Sequence, residues 1–278
     1  MENKDQYKQA LESKYDCLLF DLDDTLYPKA SGLSAQVTNN IKEYMILKLE
    51  IQEDKVPELC SSLYKKYGTT MAGLKAMGYD FDFDDFHSFV HGRLPYNLLK
   101  PDHVLRSLLL SIPIRKIIFT NGDKNHAARA LSRLGLEDCF QEIICFETLN
   151  PNYKEAKPAV SEGKSELGQS SDNGDSALPK SPVVCKPFEN SFEEVFKMLK
   201  INPQRAVFFD DNIYNIQTGK KMGLTTVWVG CSHRIGGVDY ALESIHNIKE
   251  ALPELWEAEE SKNVKYSRKV GIETTVQA

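Results

Sequence analysis

The sequence predicts an α/β protein with a doubly wound parallel sheet, Rossmann-like in layout, and an all-helical insert after the first strand. Short apolar runs alternate with amphipathic helical segments along most of the chain, which is typical of parallel strands joined by crossover helices. Residues 31–92 show helical periodicity and no strand signal. Three of the apolar runs end in acidic or hydroxyl-bearing residues. With 278 residues and 41% hydrophobic content, the chain can form one large domain or a core with a smaller appended one.

The first apolar run, residues 17–20, predicts a strand that is buried on both faces. Asp21, Asp23 and Asp24 follow it directly, and ligands of open α/β sheets bind at the carboxyl ends of strands. Two carboxylates so close together need a cation between them, or one must hold a proton. Asp21 could then attack phosphorus while a partly protonated Asp23 protonates the leaving group. The Asp pair alone is equally compatible with a solvated acidic turn.

The insert is predicted to contain four helices, separated by glycines that punctuate residues 31–92. Apolar residues recur there at spacings of three and four. They are Leu33, Val37, Ile41 and Tyr44 in the first helix, Val56, Leu59, Leu63 and Tyr67 in the second, residues 69–77 in the third, and Phe83, Phe86, Phe89 and Val90 in the fourth.

The remainder alternates between strands and helices. Residues 151–182 interrupt the pattern, because they are rich in Ser, Gly and Asp, and they predict a flexible loop within the core. Strands are predicted at 116–119, 142–146, 206–209 and, last, 225–229. Helices are predicted from Pro101 onward, before Gly135, at 191–199, before Gly223 and, as the closing element, at 244–256.

Composition narrows the possible partners. The net charge of −6 argues against a nucleic acid polymer, and no apolar run is long enough to span a membrane. Residues 1–14 and 257–278 are polar termini, without a signal-peptide core or a lipidation motif. Six scattered cysteines with no CxxC pair indicate a reducing compartment, so a cytoplasmic location is expected.

Four motifs together resemble the haloacid-dehalogenase-like (HAD) hydrolase superfamily over roughly residues 15–256. They are DLDDT at 21–25, Thr120 at a strand end, Lys186 before a helix, and DDNIYN at 210–215. The insert resembles a C1-type cap. Its stretches YGTTMAGLKAMG and FHSFVHGRLPY are similar to the pyrimidine 5′-nucleotidase-like branch of this superfamily, and particularly to the plant members. That branch includes phosphatases that act on nucleoside 5′-monophosphates such as XMP.

The resemblance implies a core at 15–28 and 98–256, a helical cap at 29–97, and a role for each motif residue. Asp21 would be the nucleophile and Asp23 the general acid and base. Mg²⁺ would be held by Asp21, by the Asp23 backbone carbonyl and by Asp211. Asp210 would either be a ligand or lie just outside the coordination sphere. The phosphoryl group would be bound by Thr25, Thr120, Asn121 and Lys186.

The fourth motif departs from that of many relatives, which have Gly-Asp and a further Asp four residues on. This chain has Asp210-Asp211 and Asn215, so the choice of metal ligand between the two aspartates stays open, and Asn215 is expected to orient the loop.

Other candidates are weaker. Lys157-Pro158 lies in the loop with no helix after it, so Lys186 is the preferred third-motif lysine. His87 and His91 have a spacing that can bind zinc, but no third ligand is evident in the sequence, and ordinary polar contacts are favoured. Substrate contacts in the cap are hypothesised for Thr69, Thr70, His91 and Arg93.

The resulting expectation is a Mg²⁺-dependent phosphatase that acts on a small phosphomonoester, most plausibly a nucleoside 5′-monophosphate, through an aspartyl-phosphate. A phosphosugar phosphatase or phosphomutase would use the same core. A non-catalytic interaction module is disfavoured, because all four motifs are present. The oligomeric state is left open.

Overall fold

The computed structural model describes residues 13–154 and 179–256. Nearly all of the predicted N-terminal polar segment, the C-terminal polar segment and most of the predicted loop lie outside these ranges. Lys157 and Pro158 lie outside them as well.

The sheet has six parallel strands in the order β3-β2-β1-β4-β5-β6, which confirms the predicted doubly wound α/β fold. The first strand is central: Leu19 pairs with Ile117 on one side and with Phe208 on the other. The carboxyl ends of β1, β2 and β4 therefore meet where the winding direction reverses. The strands are β1 Cys17–Phe20, β2 Arg115–Phe119, β3 Glu142–Ile144, β4 Ala206–Asp210, β5 Thr225–Val229 and β6 Tyr240–Leu242.

The four predicted helices of the insert are present between β1 and β2. They pack around an apolar cluster of their own, in which Tyr44 contacts Phe81, Phe86 and Phe89 edge-on. Phe146 and Cys185, from the sheet side, complete this cluster and attach the insert to the core. The helices are α1 Leu33–Leu47, α2 Val56–Tyr67, α3 Thr70–Ala76 and α4 Phe83–Val90.

The helices outside the insert flank the sheet, and their ends agree with local capping chemistry. Asp123 accepts hydrogen bonds from two backbone amides at the start of α6, and Gly135 ends this helix in a left-handed conformation. The helices are α5 His103–Ser111, α6 Lys124–Leu134, α7 Phe146–Leu149, α8 Glu189–Leu199, α9 Ile213–Lys221 and α10 Ile248–Ala251.

Three predicted elements need correction. The strand predicted at 142–146 ends at Ile144, and Phe146 begins α7. β5 is not the last strand, since β6 adds to the sheet edge; three residues are too short for a recognisable pattern.

The closing helix predicted at 244–256 is broken into short pieces, with α10 between two turns of 3₁₀ helix. Pro253 has no amide hydrogen to continue the helix. Within the described ranges, no helix is both long and apolar enough to cross a bilayer.

Candidate active site

A buried lysine joins two of the strand ends. Lys186 Nζ donates to Asp21 Oδ1, after β1, and to Asp210 Oδ2, at the end of β4, each at 2.7 Å. The lysine is 1% exposed. Burial alone would lower its pKa, but the negative charges of Asp21 and Asp210 hold the pKa of Lys186 above its usual range. The structure thus brings together two motifs that are 165 residues apart in sequence.

Asn121, at the end of β2, positions this lysine. Its side-chain amide donates to the Lys186 carbonyl at 3.0 Å, and its side-chain oxygen accepts from the Lys186 amide at 2.9 Å. The Asn121 side chain is therefore committed to Lys186. The Asn121 backbone N–H has no hydrogen-bond partner among the described residues and is free to meet an anion.

Three carboxylates form a group suited to a cation. One oxygen from each of Asp21, Asp210 and Asp211 lies within 4.8 Å of the other two. Burial, followed by the charges of neighbouring aspartates, raises the pKa of Asp21, although Lys186 opposes the rise. Burial and the charge of Asp21 likewise raise the pKa of Asp211. A divalent cation would relieve this repulsion.

The two aspartates of the fourth motif differ in their contacts. The carboxylate of Asp210 is fully buried and accepts hydrogen bonds from Lys186, the Asn212 amide and Asn215. The Asp211 carboxylate accepts none within the part of the chain that the structure describes, and it lines the cavity described below. Asp211 is therefore the freer of the two to bind a metal. Asn215 donates to both Asp210 oxygens at 3.0 Å, an orienting contact.

Asp23 is bonded in a way that the sequence did not suggest. Its Oδ1 contacts His126 Nε2 at 2.7 Å and accepts the Tyr27 hydroxyl. Burial alone would raise its pKa, but the charge and hydrogen bond of His126, with that of Tyr27, lower the pKa of Asp23 to about 2. The predicted partly protonated Asp23 is therefore wrong for this arrangement, because its hydrogen-bond donors stabilise the carboxylate.

The hydrogen-bond partners of His126 instead favour protonation of its ring. Tyr96 donates its hydroxyl hydrogen to the His91 carbonyl. Its oxygen can then only accept a hydrogen bond from His126 Nδ1, which is 2.8 Å away. His126 Nε2 faces the ionised Asp23 carboxylate and also donates. Burial opposes a charged imidazole, but Asp23 outweighs it and the pKa of His126 is raised.

The two predicted phosphate-binding threonines have different surroundings. Thr120, at the end of β2, lines the cavity, and its oxygen accepts the Gly122 amide at 3.0 Å, which leaves its hydrogen available for an anion. Thr25, also expected to bind the phosphoryl group, is not among the residues that line the cavity. It is 2% exposed and donates to Asp21 Oδ2 at 3.1 Å, so it orients Asp21.

A cavity of about 580 Å³ lies between the insert and this edge of the sheet. Thr69, Thr70 and His91 line it, as hypothesised. Their polar groups already have partners within the protein: Thr69 caps α3, Thr70 donates to the Cys60 carbonyl, and His91 contacts Asp123.

Arg93, the fourth residue of that hypothesis, is not among the residues that line the cavity. It pairs with Glu43 at 2.7 Å and lies over the ring of Phe89.

Sequence reasoning missed His126, Asp123 and Tyr64. His126 and Asp123 are in or just before α6, and no local spacing relates them to the Asp cluster. Tyr64 on α2 lines the cavity and accepts a hydrogen bond from Asn212, which bridges the insert and the core. Tyr27 also belongs to the site, because its hydroxyl donates to Asp23.

A parallel α/β sheet with a carboxylate, a buried lysine and an acidic pair at one strand edge is the arrangement of a hydrolase site. A family profile described as haloacid dehalogenase-like hydrolase matches residues 15–223. The chain belongs to this family, and the superfamily suggested by the four motifs is confirmed.

Individual relatives are more distant. Phosphate metabolism protein 8 of Saccharomyces cerevisiae is 27% identical over 235 residues, which cover 81% of this chain. The match spans only 64% of the length of the yeast protein.

Two solved structures show the shared fold. CbbY from Rhodobacter sphaeroides, in complex with phosphate, has a TM-score of 0.52 and 15% identity, covering 84% of this chain and 96% of its own. The putative HAD-hydrolase YfnB from Bacillus subtilis, bound to magnesium, has a TM-score of 0.50 and 18% identity. The match covers 85% of this chain and 97% of the YfnB chain.

Proposed function

We propose that the protein is a Mg²⁺-dependent phosphatase that hydrolyses a small phosphomonoester, a nucleoside 5′-monophosphate such as XMP or a pyrimidine nucleotide, through an aspartyl-phosphate on Asp21. The convergence of Asp21, Lys186 and Asp211 at one end of the cavity carries the proposal. A carboxylate nucleophile, a fixed cation and a divalent-metal site are the groups that phosphoryl transfer requires.

The donor set fits Mg²⁺, which prefers oxygen ligands and retains several waters. The carboxylates of Asp21 and Asp211 and the backbone carbonyl of Asp23 would hold it, with Asp210 just outside because its oxygens already accept hydrogen bonds. When bound, Mg²⁺ would neutralise charge on the transferring phosphoryl group.

The protein groups then have separate tasks. Thr25 and Lys186 orient the Asp21 carboxylate as one of its oxygens attacks phosphorus and the P–O ester bond breaks. The leaving alkoxide takes a proton from the hydrogen-bonded Asp23–His126 pair. Water next attacks the aspartyl-phosphate and returns its proton to the same pair, so phosphate leaves and Asp21 is regenerated. Thr120 and the Asn121 amide bind phosphoryl oxygens.

Residues 29–97 would act as a cap over a core formed by 15–28 and 98–256. The wall contributed by the insert supports a nucleotide, because part of it is apolar and can pack against a base. This apolar part includes Val37, Ile41, Met71, Phe86 and Val90. A cavity of about 580 Å³ is in the range typical of small-molecule sites.

The location that we propose is the cytoplasm, and the six free cysteines of the described chain support a reducing compartment.

The test is release of inorganic phosphate from a panel of nucleoside 5′-monophosphates and sugar phosphates, with and without Mg²⁺. We expect Mg²⁺-dependent release, fastest with a nucleotide, and none from the Asp21→Asn variant. Preference for a sugar phosphate would refute the nucleotide assignment, and isomerised product without phosphate would indicate a mutase. No turnover of any phosphomonoester would refute the proposed activity.

A further inference from the structure

A second group of metal-ligand side chains lies apart from the three carboxylates. His87 on α4, His91 just after it, and Asp123 at the start of α6 each place one ligand atom within 4.8 Å of the other two. Nδ1 of His87 is 3.5 Å from Asp123 Oδ2, and Nδ1 of His91 is 2.5 Å from the same oxygen. Folding thus supplies the third ligand that the sequence did not reveal.

His87 is a buried side chain without a partner. It is 7% exposed, and neither of its ring nitrogens has a hydrogen-bond partner in the described part of the chain. Leaving a buried polar group in this state is unfavourable. Burial, with the nearby His91, lowers the pKa of His87 to about 3, so its ring is neutral and has a lone pair for a metal.

Asp123 is held in a suitable orientation. Its Oδ1 accepts the backbone amides of Asn125 and His126 at 3.0 Å each, which caps α6 and leaves Oδ2 directed at the two histidines. Fixing one carboxylate oxygen in this way orients the other for ligation.

The distances suit a tetrahedral ion after a small adjustment. Ligands at bond lengths of about 2.0–2.1 Å are separated by roughly 3.3 Å. The His87–Asp123 distance of 3.5 Å already matches this separation, and His91 must move from Asp123 by roughly 1 Å. His91 would also shift its proton from Nδ1 to Nε2, which frees Nδ1 without a change in net charge.

We propose that His87, His91 and Asp123 form a second metal site, selective for Zn²⁺ or a similar transition ion, that bridges the helical insert and the core. Two imidazoles and one carboxylate suit Zn²⁺, whereas Mg²⁺ prefers oxygen ligands alone. Water from the cavity, which His87 and His91 line, supplies the fourth ligand. The site uses a different set of side chains from the proposed Mg²⁺ site, although it lines the same cavity.

The experiment uses full-length protein that has been freed of metal and then supplied with excess Mg²⁺. Co²⁺ binding is followed by visible absorption, and Zn²⁺ binding is measured by equilibrium dialysis. We expect one equivalent to bind, with the absorption of nitrogen-ligated Co²⁺, and Zn²⁺ to raise the midpoint of thermal unfolding. His87→Gln should weaken binding at least about tenfold. His233→Gln, an exposed histidine, is the matched control and should bind as the wild type does.

Asp123→Asn is a second variant that separates a loss of metal binding from a loss of folding. Asparagine caps helices as well as aspartate does, but it lacks the charge. It should retain its far-ultraviolet circular dichroism and bind Co²⁺ at least about tenfold more weakly. Equal Co²⁺ affinity in wild type, His87→Gln and Asp123→Asn would overturn the proposal. Absence of stoichiometric binding by the wild type would overturn it as well.

Discussion

Replacing Lys186 with methionine would remove the one ammonium group that contacts both Asp21 and Asp210, while nearly keeping the side-chain length. Both contacts are 2.7 Å, and the lysine is 1% exposed. Removing one partner of a buried ion pair typically costs about 3–5 kcal/mol, because the remaining charge stays buried. We therefore expect metal-free Lys186→Met to lose about 3–5 kcal/mol of unfolding free energy at mildly alkaline pH.

The deficit should depend on pH. The pKa of Lys186 is raised in the folded protein, so the stability that its charge contributes is fully present below 10.5, the pKa of lysine in the unfolded chain. This contribution is therefore constant between about pH 5.5 and about pH 8.5. In the variant, the pKa of Asp21, already raised by burial, rises further without the ammonium. The Asp21 carboxyl becomes neutral as the pH falls through that value, so the deficit should shrink towards acid.

Urea unfolding at the two pH values measures the effect. Lys116→Met is the matched control, because Lys116 is also buried but its Nζ donates to the carbonyls of Ile112 and Ile114, not to carboxylates. The loss of unfolding free energy in Lys116→Met should be the same at both pH values. A loss below about 1 kcal/mol for Lys186→Met, or a loss that does not change with pH, would refute the assignment of Lys186 as the charge partner of Asp21.

The other predictions concern the metal and the junction between insert and core. Asp211→Asn should raise the Mg²⁺ concentration for half-maximal phosphate release at least about tenfold, since it removes a charged ligand; an unchanged requirement would contradict its role. A chelator should stop phosphate release, and added Mg²⁺ should restore it; release that persists would exclude metal dependence. Gly68→Ala should lower thermal stability by more than about 1 kcal/mol, because φ is +77° and the new methyl would collide with the Lys186 carbonyl. Gly32→Ala, at φ +81° but with no atom within 4 Å, should lose less, and equal losses would show that the collision is unimportant.

The local elements could be predicted because each depends on nearby residues. An apolar run such as 17–20 has no favourable place except a buried strand, and the spacing of Phe83, Phe86 and Val90 produces an apolar helix face. The polar residues after β1, β2 and β4 were recognisable because strands of a parallel sheet end at one edge. Elements with weak signals were missed, among them the three-residue β6 and the breaks around α10.

By itself the sequence determined the α/β class, the helical insert and the identity of the motif residues, all of which follow from local composition and spacing. Only the tertiary structure decided that Asp211 is freer than Asp210, that Thr25 contacts Asp21, and that His126 contacts Asp23. It likewise kept Arg93 out of the cavity lining and brought Asp123 to His87. The physical reason is that contacts between distant segments depend on strand order and on how the insert packs over the sheet, and no local spacing records either.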